Sequence, residues 1–116
     1  MSLDGFAIDI LIFIEVILDI NFDNDVEVAI KLYEEVIGQS ASRTRQMIEM
    51  YGKIEAISKL MVSSDLQKGF KILRDKGLLD KTFESIVIKH KKLFKPYVLE
   101  AAAWRLQEAN QLLDKM

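Results

Sequence analysis

Apolar residues recur at intervals of three and four along most of the chain, which is the spacing of one face of an α-helix. One such stripe runs from Asn24 to Gly38, and similar stripes stop near Gly52 and Gly77. Glycine is common just past the end of a helix, so these positions are read as helix ends. The pattern predicts an all-α fold, a compact bundle of six or seven short helices in one domain, residues 1–116.

Polar residues at the start of several stripes are suited to capping a helix. Asn24 with Glu27, and Ser64 with Gln67, have the spacing of a capping box. In a capping box, the side chain of each of the two residues accepts a hydrogen bond from the backbone N–H of the other. Single caps are expected at Ser40 or Ser42 and at Asp80 or Thr82.

The last helix is predicted to begin at Pro96, because proline fits the first turn of a helix, and to run to about Leu113. Lys95 precedes a proline and is therefore disfavoured in helical geometry, which places a break there. The inward stripe of this helix is predicted to be Leu99, Ala102, Leu106, Ala109 and Leu113.

Residues 6–20, FAIDILIFIEVILDI, are apolar at twelve of fifteen positions. On a helix, Asp9, Glu15 and Asp19 share one sector of about 120°, and the rest of the surface is apolar. The same run also alternates as a strand would and is rich in β-branched residues. The chain has no second strand-like run to pair with it, so we predict a helix. The run is too short and too acidic for a membrane span.

A helix that is apolar nearly all round needs cover on several sides. Residues 6–20 therefore predict a homodimer or a contact with a larger protein partner; alternatively, they form the central helix of a monomeric bundle. The residues expected at the interface are Phe6, Ile10, Phe13, Ile14, Ile17 and Trp104.

The net charge of −2 conceals an uneven distribution along the chain. Residues 1–39 carry −8, residues 40–96 carry +7, and the remainder carries −1. Either the two halves attract each other, or the basic segment 40–96 contacts an outside polyanion. The second reading predicts an accessory subunit associated with nucleic acid. Its expected contacts are Arg43, Arg45, Lys89, Lys91, Lys92 and Lys95.

No constellation indicates a catalytic, cofactor or metal site, so we expect a protein that is not an enzyme. The absence of cysteine excludes disulfides and thiolate sites. It is also compatible with a reducing cytoplasm. We expect the protein there, because no signal peptide pattern opens the chain. The run from Asp19 resembles the start of an EF-hand loop, but Asn24 and Ile30 replace its glycine and bidentate glutamate. The single histidine, His90, is predicted at the core edge with a satisfied ring nitrogen.

Residues 43–109 resemble a small helical module of uncharacterised prokaryotic proteins. The resemblance rests on a pattern of glycine, phenylalanine and leucine positions, namely Gly69, Phe70, Gly77, Leu79, Asp80, Thr82, Phe83, Leu93 and Phe94. These residues look structural, as helix ends, caps and core anchors. Such modules occur beside nuclease or defence-type partners, and the resemblance by analogy implies a nucleic-acid context.

Overall fold

The first helix, α1, runs unbroken from Leu3 to Ile37 in the computed structural model. The structure describes residues 3–63 and 66–114, and the side chains of residues 10–63 and 68–108. The prediction of a helix over residues 6–20 is thus confirmed, but the predicted helix start at Asn24 is wrong. No glycine or proline lies between residues 6 and 37, so each further residue extends the helix and Asn24 remains on its solvent side.

Five further α-helices follow, and the described residues contain no strand, which confirms the all-α prediction. They are α2 Ser42–Tyr51, α3 Lys53–Met61, α4 Leu66–Asp75, α5 Phe83–Lys89 and α6 Pro96–Asp114, with 3-10 turns at Leu79–Lys81 and Lys91–Leu93. The predicted start of the last helix at Pro96 is confirmed, whereas α1 is far longer than the short helices expected.

The glycine helix ends are confirmed. Gly77 has a φ of +74°, and the N–H groups of Gly77 and Leu78 donate to the carbonyls of Arg74 and Leu73, which is the Schellman arrangement. Gly52 has a φ of +82° and ends α2. These positions need glycine because other residues rarely adopt a positive φ.

One of the predicted caps is confirmed and another is wrong. Thr82 caps α5, with its Oγ1 accepting from the Ser85 N–H at 3.2 Å. The serine caps of α2 are wrong, because Ala41 occupies the cap position and Ser40 Oγ donates instead to the Glu34 carboxylate. The predicted capping box at Ser64 and Gln67 lies outside the described residues.

The core forms around the second half of α1, from which Phe22, Val26 and Ile30 point inward one turn apart. They meet buried residues of α3, α5 and α6, among them Ile57, Met61, Val87, Val98 and Ala102. On α6 the buried stripe is Val98, Ala102 and Arg105. Of the stripe predicted there, Ala102 is buried and Leu99 and Leu106 are half-buried, while the side chains of Ala109 and Leu113 lie outside the described part.

The first half of α1 projects beyond this core. The radius of gyration is 16.4 Å, against about 13 Å for a compact chain of this length. The molecule measures 62 × 31 × 23 Å. A 35-residue helix is about 52 Å long, so α1 alone accounts for most of the long dimension.

Candidate self-association surface

Every residue from 10 to 20 of α1 is exposed, and we call this segment the arm. Nine of its side chains are large and apolar, with exposed fractions of 40–65%; they are Ile10, Leu11, Ile12, Phe13, Ile14, Val16, Ile17, Leu18 and Ile20. The alternative that this run forms the buried centre of a monomeric bundle is therefore wrong for residues 10–20. The apolar surface predicted from the sequence lies in solvent in the single chain.

Four of the predicted interface residues lie together on the arm. Ile10, Phe13, Ile14 and Ile17 follow the spacing of three and four that places them on one side of a helix. Phe13 is the most exposed large residue of the arm, at 65%. The side chain of Phe6 lies outside the described part of the chain.

Trp104, the remaining predicted interface residue, is 58% exposed on α6. Its neighbours Ala102 and Arg105 are buried, so the indole faces away from the core side of that helix. An exposed tryptophan is a frequent component of protein interfaces. Its proximity to the arm in an assembly stays a prediction.

The acidic and basic halves of the chain are joined by ion pairs along the second half of α1. Arg45 binds Glu34 through its Nε and Nη2, at 3.0 and 2.7 Å, and reaches Glu27 at 3.2 Å. Lys53 Nζ lies 3.4 Å from a carboxylate oxygen of Asp23. Mutual attraction of the two halves thus accounts for part of the charge asymmetry.

Glu34 ties the end of α1 to the start of α2. Its carboxylate accepts from Arg45, from the Ala41 N–H at 2.8 Å and from Ser40 Oγ at 3.2 Å. The Arg45 guanidinium, followed by the Ala41 N–H, lowers the pKa of Glu34 to about 2. The carboxylate thus fixes the backbone in front of α2, whose first turn has no side-chain cap.

His90 packs on Phe22 with the ring centroids 5.3 Å apart, and its Nε2 lies 2.7 Å from Asp25 Oδ2. The same carboxylate oxygen binds Lys89 Nζ at 2.9 Å. Burial raises the pKa of Asp25, but hydrogen bonds from His90 and Lys89 outweigh it and leave that pKa below its usual value. The prediction of a core-edge histidine with a satisfied ring nitrogen is confirmed.

The six residues proposed for nucleic-acid contact fall into two groups on different elements. Arg43 and Arg45 lie in the first turn of α2, and Arg45 is occupied by Glu34 and Glu27. Around the second 3-10 turn, Lys89 pairs with Asp25, while Lys91, Lys92 and Lys95 are exposed. Nucleic-acid binding stays a prediction, and absence of any gel shift at low salt is the result that would remove it.

The sequence patterns do not predict the buried ion pair between Glu84 and Arg105. Glu84 of α5 is 1% exposed, and its Oε2 accepts from Arg105 Nη1 of α6 at 3.1 Å. Arg105 Nη2 also donates to the Ser63 carbonyl at 3.0 Å. Burial raises the pKa of Glu84, opposed by hydrogen bonds from the backbone and Arg105. A prediction of the buried helix faces that uses only apolar residues does not find such a pair.

A cavity of about 490 Å³ lies beside the second half of α1, between that helix and α4. Its larger aliphatic and aromatic lining residues are Ile30, Tyr33, Ile37, Leu60, Phe70, Leu73 and Phe83. Cavities of this size are typical of binding sites. No sequence motif marks it, because its walls come from six separate elements of the fold, namely the helices α1 to α5 and the first 3-10 turn.

Neither a metal site nor a membrane-spanning helix emerges from the described residues. They contain no group of three or more His, Cys, Asp or Glu side chains placed to hold a metal ion, and the EF-hand-like run is part of α1. None of their helices has the combination of length and hydropathy required to cross a bilayer. No family model, curated protein or solved structure matches the chain.

Proposed function

We propose that the protein is a non-enzymatic interaction module that associates with a second copy of itself through the arm. The observation that carries the proposal is the arm's nine large apolar side chains, exposed at 40–65%. Burying one such side chain completely contributes about 1.5–3 kcal/mol, and each of these is still half open to water. Contiguous apolar surface of this kind is typical of interfaces rather than of a monomer's exterior.

The acidic residues of the arm are compatible with this role. Glu15 and Asp19 are one turn apart, on the side opposite the stripe of Phe13 and Ile17. A partner can therefore cover the stripe while both carboxylates stay hydrated. We place this module in the cytoplasm of a prokaryotic cell, in line with its lack of cysteine and the resemblance of residues 43–109.

Light scattering coupled to size exclusion, on the full chain over a range of concentrations, tests the proposal. We expect a dimer for the unaltered protein and a monomer for the double variant Phe13→Glu/Ile17→Glu. Glutamate is a good helix former, so the arm stays helical while its stripe becomes charged. The matched control is Met50→Glu, which alters a 71% exposed residue of α2 outside the arm and leaves the dimer intact. A clean monomer at high concentration for the unaltered protein contradicts the proposal.

A further inference from the structure

The residues that line the cavity beside α1 are divided by polarity between its interior and its mouth. All but two of the buried lining residues are apolar, namely Ala29, Ile30, Ala41, Leu60, Phe70 and Leu73. The two polar ones are already bound, since the Thr82 hydroxyl caps α5 and the Glu84 carboxylate accepts from Arg105. The exposed lining residues are all polar: Gln39, Ser40, Ser42, Arg43, Lys68 and Lys81. The cavity thus has an apolar interior behind a polar mouth.

The mouth of the cavity carries positive charge. Lys68 comes from α4, Lys81 from the first 3-10 turn and Arg43 from the first turn of α2, so three elements each contribute a cation. No acid is found among the exposed lining residues that the structure describes. Within the described part of the chain, neither Lys68 nor Lys81 forms an ion pair. An anionic group at the mouth therefore meets two ammonium groups that no described carboxylate neutralises.

The volume of the cavity is that of a small-molecule site. Pockets for small ligands measure about 300–1,000 Å³ and are mainly apolar, with a few polar groups that fix the orientation of the ligand. The cavity of 490 Å³ falls in that range. A peptide helix with its side chains is about 10 Å across, so a length of about 6 Å, little more than one turn, fills the same volume. The volume therefore favours a small molecule over a peptide helix.

From the apolar interior, the cationic mouth and the volume, we propose that the cavity binds a small amphiphilic carboxylate of the fatty-acid type. Its aliphatic tail lies in the interior among residues such as Ile30 and Leu73, where burial removes the tail from water. Its carboxylate lies at the mouth beside Lys68 and Lys81, which select a negative head group over an uncharged one. None of the residues 10–20 lines the cavity, so this binding site is separate from the arm and does not depend on the proposed self-association.

Isothermal titration calorimetry of the full chain with decanoate, at low ionic strength so that the charges are not screened, is the first test. We expect saturable binding of one decanoate per chain. Octanoate has a tail that is two methylenes shorter and is expected to bind about tenfold more weakly, because less apolar surface leaves water. Decanol has a tail of the same length without the charge, and we expect its dissociation constant to be at least about fivefold higher than that of decanoate.

The variant Lys68→Gln/Lys81→Gln tests the role of the cationic mouth. Both lysines are exposed, so their replacement removes charge and leaves the buried interior unchanged. We expect decanoate to bind at least about fivefold more weakly, whereas the affinity for decanol stays the same. The matched control is Lys71→Gln/Lys76→Gln, which makes the same change in net charge at exposed positions that do not line the cavity. The control should bind decanoate like the unaltered protein.

The arm is a second apolar surface to which a fatty acid can adhere, so the place of binding needs its own test. The variant Phe13→Glu/Ile17→Glu alters the arm and none of the residues that line the cavity. We expect this variant to bind one decanoate per chain with unchanged affinity. In its amide NMR spectra, the signals of the lining residues Ala41, Gly69 and Thr82 should shift on addition of decanoate, while those of residues 10–20 stay in place.

Several results overturn this binding site. Decanoate that does not bind saturably, or that binds Lys68→Gln/Lys81→Gln as tightly as the control variant, contradicts it. Loss of decanoate binding in the arm variant, or amide shifts confined to residues 10–20, places the ligand on the arm instead. Decanol that binds as tightly as decanoate refutes the assignment of an anionic ligand. Self-association is measured by light scattering without decanoate, so the two proposals stand or fall separately.

Discussion

Replacing Arg105 by methionine removes the cation from a buried carboxylate and is expected to destabilise the fold severely. Glu84 is 1% exposed, and its partner's side chain is 8% exposed, with 3.1 Å between the charged groups. Removing one partner of a buried pair costs about 3–5 kcal/mol, since the other charge is left buried and uncompensated. Methionine keeps most of the side-chain volume, so the loss reports the charge rather than a cavity.

The cost translates into a large change in melting temperature. An unfolding entropy of about 2.1 cal/mol/K per residue gives about 0.24 kcal/mol/K for 116 residues. A loss of 3–5 kcal/mol therefore lowers the Tm by about 12–20 °C. Circular dichroism melts at one protein concentration measure it, because association also shifts the Tm.

The pH dependence of the Arg105→Met variant tests the mechanism. Burial already raises the pKa of Glu84, and the variant loses the cation that opposed this effect. A carboxyl whose pKa is raised on folding favours the fold below its unfolded pKa of about 4.5, and that contribution is lost as the pH rises through the folded value. The deficit in Tm should therefore be larger at pH 8 than at pH 5.

The matched control is Glu55→Gln, which removes an exposed pair with Lys59 at 3.8 Å and should cost less than about 0.5 kcal/mol, or about 2 °C. A Tm for Arg105→Met within about 4 °C of the unaltered protein at pH 8 would refute the reasoning.

Three further predictions concern the helix ends and the ion pairs of α1. The pKa of Glu34 is about 2 in the fold against 4.5 in the unfolded chain. The stability that this shift provides is present above pH 4.5 and is lost as the pH falls towards 2. The variant Glu34→Gln should therefore lose less stability over this pH range in an acid titration followed by circular dichroism. Gly77→Ala should lower the free energy of unfolding in urea by about 1 kcal/mol, because Gly77 has a φ of +74°. Its control is Gly69→Ala inside α4, where the new Cβ would lie 3.4 Å from the Tyr33 ring. This variant should be neutral or stabilising. Asp25→Asn weakens the hydrogen bonds from Lys89 and His90 and should cost about 1 kcal/mol by the same assay, and an unchanged midpoint would contradict it.

The sequence predicts the helical content and most helix ends, because those depend on local chemistry. Gly52, Gly77, Thr82 and Pro96 each act within a few residues, and each is found where expected. Asn24 misleads for the same local reason: a capping box is compatible with a helix start, but nothing in front of it stops the preceding helix.

The candidate sites depend on contacts that no local pattern contains. Glu84 and Arg105 are 21 residues apart in the chain, and His90 and Asp25 are 65 apart. The apolar run of residues 6–20 predicts an interface, and only the fold shows that the rest of the chain leaves residues 10–20 exposed. The cavity likewise combines residues from the helices α1 to α5 and from the first 3-10 turn.

The continuity of α1 gives the arm a mechanical property. A helix without glycine or proline from residue 6 to residue 37 has no kink-forming residue between the exposed arm and the segment that carries Phe22, Val26 and Ile30. The arm is therefore continuous with the helix segment that is anchored in the core and that carries the ion pairs of Asp25 and Glu34. In the proposed self-association, two such arms would hold the globular parts at a fixed distance and angle, unlike a flexible linker.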